Sequence, residues 1–566
     1  MTQDFISYLN SLHNLTPAGA NALAESQVNT TYFNEIYSEF PIVHHIYNLL
    51  TQDKNNIIII TGHAGDGKST IAFDLIKRLD KKFQQHTFQK HEYSEKYNLN
   101  ILKDMSELSL IERKKWLTQA FNESNNWLIV SNTGPLLTSI SEYLKSIELT
   151  QDIESEIFRL LDKEINISDQ LENLNQLNLS LNINNKKLFI INIAKLDNIE
   201  VALSIFRKII QHSAWDKLVQ DYPQHAIIQN YSTIRNNLEH VIHSIRLLYL
   251  YLLNYEKRLT LRQMLAHFCA SLTGGYELDE TPTQPIIFSD LFFGYQNNLP
   301  WEKAFKLPAI HSLHHLNFAG YCSLEIEKMI TNLENFKKVD PSLYNFIRNF
   351  IQKDQDCQTH QFKAALRRLI FIYNLYPSNY TNAQAQFLSS PNIEKYSKWR
   401  LDNQKFTSEY TRHIKKMSLQ ALNLFFNGIN EDKFLNITLK RADSSVFQIS
   451  QIKICSFMEK EFIVDYCTNK QQPYLALKKD NEIRLELSLP LLDYIQNIIK
   501  GNITESLTPI YKTQLERFKL SLIKYSEIDS EDEITLVRTL ASGEVQENII
   551  KISLDSKQNK ILTLED

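Results

Sequence analysis

Between residues 55 and 198, short unbroken apolar runs alternate with runs of helical spacing. Asn55–Thr61 holds four consecutive isoleucines between polar neighbours. That is the pattern of a strand buried on both faces, as in a parallel sheet. From Ser69 to Leu79, Ile71, Leu75, Ile76 and Leu79 share one face of a helix. Trp127–Ser131 and Leu188–Ile193 read as further strands, as does Leu99–Lys103, with Thr87–Lys90 a weaker one. A helical stretch from Leu110 to Phe121 separates two of them. Strands alternating with helices predict a mostly parallel α/β sheet. Leu177–Ile183 alternates with period two and Asn184–Lys187 supplies a turn. A hairpin there adds an amphipathic edge strand to 188–193, the other reading being a low-complexity loop.

Outside that region the rhythm is helical first and strand-like later. Residues 1–53 read as helices, with Pro41 at a helix start. Residues 199–275 are helical, including Leu238–Tyr255 and Thr260–Leu272, and Gly274-Gly275 ends the second of these. Residues 276–330 carry four prolines and read as irregular, and 331–430 return to helix. Glu461–Asp465 and Ile483–Leu489 favour strands, interrupted by a helix at Leu491–Lys500. The expected division is an N-terminal helical segment 1–53, an α/β core 54–198, a helical lid 199–275, a helical middle region 276–430 and a C-terminal α+β domain 431–566.

Composition narrows the classes. The chain has 566 residues, and 43% hydrophobic content permits a sizeable core. A formal charge of −4 gives no sign of a generic nucleic-acid binder. Five widely spaced cysteines without a CxxC argue against a disulfide framework or a zinc ribbon. The opening Met1–Phe5 lacks a basic region followed by an apolar core, and the best apolar run, Leu247–Leu253, is short of the roughly 20 residues a membrane span needs. A soluble, cytoplasmic protein with no membrane partner is the expectation.

Only twelve glycines occur, and three of them lie in Gly62-His63-Ala64-Gly65-Asp66-Gly67-Lys68-Ser69, followed by Thr70. A strand precedes this segment and a helix follows, the context of a phosphate-binding loop rather than a chance glycine turn. Glycines let the backbone curl its N–H groups inward, and Lys68 can reach the outer phosphates of ATP. The Ser69 hydroxyl can ligate Mg2+, and the helix start favours an anion. Hydrolysis needs an acid at the metal and a group to orient water. Asp104 is the first choice for the metal and Glu107 for the water, provided the 99–103 strand lies beside the one at 57–60; an ordinary solvated Asp is the alternative. Asn132, at the end of the next strand, suits a γ-phosphate sensor or equally a turn former. Arg262, and after it Arg246, could reach the nucleotide from the helical lid, although a solvated helix face is the plainer reading. Arg367-Arg368 could meet a nucleic acid or partner, again against a plain helix surface. His311, His314 and His315 have helical spacing for a metal but lack a third ligand.

The segments Thr61–Thr70, Lys103–Leu108, Val130–Leu137 and Ile190–Asp197 together resemble a set of bacterial P-loop ATPases of defence loci, the phosphorothioation-dependent restriction proteins of the DptF type. The resemblance covers roughly residues 55–275, and the phosphate loop is its one specific motif. It implies an α/β P-loop NTPase of the additional-strand, AAA-like type. It also implies an ATPase subunit acting with other defence-system proteins on DNA in anti-phage restriction, with a homo-oligomer in keeping with such ATPases. A slow-turnover ATP-bound switch or scaffold that recruits an effector is the main alternative, and a small-molecule kinase a third.

Overall fold

In the computed structural model, residues 5–15, 31–52, 55–79, 90–146, 151–162, 180–183, 186–196, 198–255, 257–282, 286–297, 299–314, 316, 327–328, 330, 341, 360–374, 384, 387–388, 390–402, 407–431, 433–439, 450–467, 472–501, 507–526, 533–540, 545–554 and 560–565 are described. The chain divides into two compact units, Met1–Leu388 and Ser389–Asp566. The helical middle region expected over 276–430 is therefore shared between them. No helix among the described residues is long and apolar enough to cross a membrane.

The first unit is mixed α/β. Helices α1 (Phe5–Ser11), α2 (Thr31–Ile36) and α3 (Ile42–Gln52) precede strand β1 (Asn56–Thr61), and α4 (Lys68–Leu79) follows it. Next come β2 (His91–Ser94), β3 (Leu99–Leu102), α5 (Leu110–Asn122), β4 (Asn126–Val130), α6 (Thr133–Ser146) and α7 (Gln151–Asp162). The hairpin β5 (Ser180–Ile183) and β6 (Lys186–Asn192) completes a six-stranded sheet of order β2-β3-β4-β1-β6-β5. The pairs β3/β4, β4/β1 and β1/β6 are parallel, and β2 and β5 are antiparallel edges. The expected hairpin thus forms, although residues 177–179 and 184–185 of it lie outside the described residues, as do 87–89 of the weak strand.

The isoleucine run is buried on both faces because both faces are covered. Ile57 and Ile59 join Trp127, Ile129, Leu188 and Ile190 in one core with Phe121 of α5, Ile140 and Tyr143 of α6 and Leu160 of α7. Phe121 and Tyr143 stack there at 4.6 Å. On the other side, Ile58 and Ile60 are also fully buried, and α3 and α4 pack there. Six fully buried strand positions on β1 suit the centre of a parallel sheet.

A helical layer follows: α8 (Ile199–Gln211), α9 (Ala214–Asp221), α10 (Ala226–Asn236), α11 (Leu238–Asn254) and α12 (Leu261–Thr273). Helix α12 starts at a capping box, with Thr260 Oγ1 accepting from Gln263 N, and stops at Gly274 in the left-handed region. The segment expected to be irregular holds α13 (Phe288–Phe292), the short pair β7 (Tyr295–Gln296) and β8 (Leu299–Pro300), and α14 (Pro308–Leu313). Helix α15 (His360–Tyr373) carries Arg367 and Arg368. Neither faces solvent as a nucleic-acid or partner surface. Arg367 pairs with Glu327 at 2.9 Å and Arg368 with buried Asp290 at 2.9 Å. Their guanidinium groups are used up inside the fold.

The second unit contains α16 (Ile393–Asp402), α17 (Ser408–Asn427), α18 (Leu489–Ile499), α19 (Pro509–Tyr525) and two antiparallel sheets. One sheet has the order β16-β15-β14-β10-β9 and the other β11-β12-β13. Their strands are β9 (Phe434–Leu439), β10 (Ser450–Met458), β11 (Phe462–Cys467), β12 (Gln472–Leu477), β13 (Asp480–Glu486), β14 (Glu533–Thr539), β15 (Val545–Leu554) and β16 (Lys560–Glu565). Buried Asp493 ties α18 to the unit's start by accepting from Asn392 N and Nδ2 and from the Ser390 hydroxyl. Helix α19 was not foreseen, yet Tyr511, Leu515, Phe518 and Leu522 bury one helical face behind Pro509.

Candidate functional site

The centre of the first unit's sheet ends in a glycine turn. β1 stops at Thr61, whose hydroxyl lies 3.2 Å from that of Thr133 at the start of α6. The chain then curls through Gly65 and Gly67, both with positive φ, and enters α4 at Lys68. Close neighbours also demand glycine here. A Cβ on Gly67 would lie 2.7 Å from the Phe40 ring, and one on Gly65 would lie 3.2 Å from Thr260 Oγ1 and from Arg262 Cβ. The first turn of α4 holds no acidic residue, so nothing on the helix itself opposes its positive end.

Inside the curl, the Lys68 ammonium donates to the carbonyls of Gly62 at 3.1 Å and His63 at 2.7 Å. Its pKa is lowered. Burial is the main cause and the nearby Arg262 adds to it, while Asp66 and Asp104 pull the other way. Asp66 is fully buried. Its Oδ2 accepts from His63 N at 2.9 Å and its Oδ1 from Arg258 Nη1 at 2.9 Å.

A cavity of about 760 Å3 opens beside this loop. Ala64, Gly65, Gly67, Lys68, Ser69 and Thr70 form one wall, together with Asp104, Asn132 and Arg262. Aromatic and apolar side chains of the N-terminal segment (Tyr8, Phe33, Tyr37, Phe40) and of α12 (Leu261, Leu265) line much of the rest. Comparison with family models, with curated proteins and with solved structures finds no match to this chain.

The sequence-derived residues fare differently. Asp104 does not sit on a strand next to β1, because β4 is inserted between β3 and β1. It still lines the cavity, since β4 ends level with it and Asn132 lies at that end. Asp104 Oδ1 caps the turn Met105–Glu107 by accepting from Ser106 N at 2.8 Å. The Ser106 hydroxyl in turn accepts from Asn132 N at 2.7 Å. Among the described residues, the side chains of Ser69, Asn132 and Arg262 make no hydrogen bond within the protein and remain available to the cavity. Glu107, expected near the water, is exposed on the far side of that turn and does not line the cavity. Arg246 is likewise elsewhere, paired with Glu200 at 2.7 Å and 2.9 Å. His63 and Asp66 shape the loop without lining the cavity. No group of three metal-ligating side chains exists among the described residues. His314 instead accepts a place between Tyr295 and Phe305, and His315 lies outside the described residues.

Arg258 and the aromatic N-terminal wall were missed. Arg258 stands four residues before Arg262 and just ahead of the Thr260 cap, and only the capping box hinted that this connection would be held rigidly. Tyr37 and Phe40 had a clearer signal, an aromatic pair just before Pro41 at a helix start.

Proposed function

We propose that this chain binds ATP with magnesium on Gly62–Ser69 and hydrolyses it, as a subunit of a multi-protein bacterial DNA defence system. The observation that carries the proposal is one cavity bringing Lys68, Ser69, Asp104, Asn132 and Arg262 together from four separate parts of the chain. The order β3-β4-β1, with Asp104 and Asn132 at the ends of neighbouring strands, supports the additional-strand type of P-loop NTPase. Lys68 supplies charge to the outer phosphates once its carbonyl bonds are exchanged, and the backbone N–H groups of the loop supply the cradle. The Ser69 hydroxyl and the Asp104 carboxylate fit a magnesium ion as oxygen donors, and the ion would neutralise charge between the outer phosphates. Asn132 and Arg262 line the same cavity and would hold the terminal phosphate. The motif resemblance to restriction ATPases supports the defence setting and partner proteins acting on DNA.

One observation favours a second reading, a slow-turnover switch that recruits an effector. Among the described residues, Asp104 is the one carboxylate that lines the cavity, and Glu107 is exposed and does not line it. Water activation then lacks a dedicated base. The test is ATP binding and phosphate release by the purified chain, with and without DNA, against Lys68→Ala. DNA-stimulated turnover supports the motor-like reading, and stable retention of one ATP supports the switch. Unchanged binding and turnover in Lys68→Ala refute both.

A further inference from the structure

The pair of half-buried Arg258 and buried Asp66 joins two regions 192 residues apart, the glycine loop and the connection between α11 and α12. We propose that Arg258 is a positioning residue that neutralises Asp66 and so holds the loop in its phosphate-accepting shape; this rests on reading the loop as a triphosphate site.

Asp66 is 0% exposed, and both of its oxygens are committed. Oδ2 takes the His63 N–H, which fixes the first half of the curl. Oδ1 takes Arg258 Nη1, while Arg258 Nη2 reaches the Ile193 carbonyl just past β6 at 3.3 Å. Arg258 therefore ties the loop to the strand on its other flank. The same connection meets the loop twice more. Arg262 N donates to the Gly65 carbonyl at 3.1 Å, and Thr260 packs on Gly65 so closely that a Cβ would lie 3.2 Å from its hydroxyl.

The charges explain why an arginine is needed. Lys68, Asp104 and Arg262 are the other ionic groups acting on this corner, and Asp66 attracts the Lys68 ammonium more strongly than Asp104 does. Without Arg258, Asp66 is a buried carboxylate that still attracts the Lys68 ammonium. Lys68 is then drawn toward Asp66 and away from the phosphates, and an uncompensated negative charge lies behind the anion site. A buried charge stripped of its partner is costly, whereas removing both charges is not. Arg258 also gives the connection between α11 and α12 a direct grip on the loop.

The experiment measures binding of a fluorescent ATP analogue with magnesium to the full-length chain, with thermal melts alongside. The variants are Arg258→Met, Arg258→Lys, Asp66→Asn and Arg258→Met combined with Asp66→Asn. Arg258→Met is expected to weaken binding by about tenfold or more, since it leaves Asp66 unpaired. Arg258→Lys should keep part of the affinity, and the double variant should recover to within about threefold of wild type. That recovery separates the proposal from mere packing, which neutralising Asp66 would not restore. If Arg258→Met does not fold, the Lys and double variants carry the same comparison. Wild-type affinity in Arg258→Met, or a double variant no better than Arg258→Met alone, overturns the proposal while leaving the loop's reading intact. A wild-type chain that binds no triphosphate overturns both.

Discussion

Replacing Gly67 by Ala tests the loop's geometry through two costs that can be separated. Gly67 has φ of 95°, a conformation that L side chains rarely adopt. Holding an alanine there costs roughly 1–2 kcal/mol. The added methyl also lies 2.7 Å from Phe40 Cζ, and 3.3 Å and 3.5 Å from the ring's Cε atoms. Phe40 is 1% exposed and stands just ahead of α3, and where it borders the cavity it can give way only into the space beside the loop. Overpacking of this kind costs roughly 1–3 kcal/mol. The sum is a destabilisation of about 2–5 kcal/mol, delivered at the wall of the cavity. The assay is a double-mutant cycle with Phe40→Leu, read by denaturant unfolding of the first unit and by binding of ATP with magnesium. Phe40→Leu in the Gly67→Ala background should return the overpacking part, about 1–3 kcal/mol, and leave the backbone cost in place. ATP binding should be lost in Gly67→Ala and return only in part. A Gly67→Ala chain as stable as wild type, or a cycle with no coupling between the two sites, would refute the reasoning.

Two further predictions concern the frame around the site. Burial lowers the pKa of His13 to about 4 and of His267 to about 3. The unfolded chain therefore binds more protons than the folded one below the ordinary histidine pKa, so stability is full above about pH 6.5 and falls as the pH drops. Each histidine should remove about 2 kcal/mol between pH 7 and pH 5, and His13→Asn should flatten about half of that slope in urea titrations; equal stability at both pH values would contradict it. Arg368→Met should destabilise the first unit by about 3–5 kcal/mol by leaving Asp290 buried and unpaired, whereas adding Asp290→Asn should recover most of the loss. A double variant as unstable as the single one in calorimetry would show that the stacking of Arg368 on Tyr295, at 4.1 Å, matters more than its charge.

What could be read from the sequence follows how local each signal is. The β1–loop–α4 unit was legible because its cues are adjacent: four isoleucines, three glycines and a helical stripe within 25 residues of chain, from Asn55 to Leu79. The glycine stop of α12 was legible for the same reason, while its Thr260 cap was read as the helix's first residue. Asp104 and Asn132 line the same cavity as the loop, but the adjacency assumed for Asp104 was replaced by an intervening β4, because strand order depends on crossovers rather than on any single run. Glu107 and Arg246 failed for a different cause. Their side-chain directions are set by a capping turn and by a partner, Glu200, which spacing does not reveal. Arg258 was invisible because its meaning resides in Asp66, far away in the chain. Arg367 and Arg368 looked like a surface pair because two adjacent arginines are seldom buried, yet Glu327 and Asp290 take both.

Ser106 is bonded on both sides at once: its N–H to Asp104 and its hydroxyl to the backbone of Asn132. The ends of β3 and β4 consequently share one degree of freedom where two independent loops would have had two. Whatever displaces Asn132 toward or away from the cavity carries Asp104 with it. The conformational entropy of setting both groups is then surrendered once, on folding, and not again each time the cavity is filled.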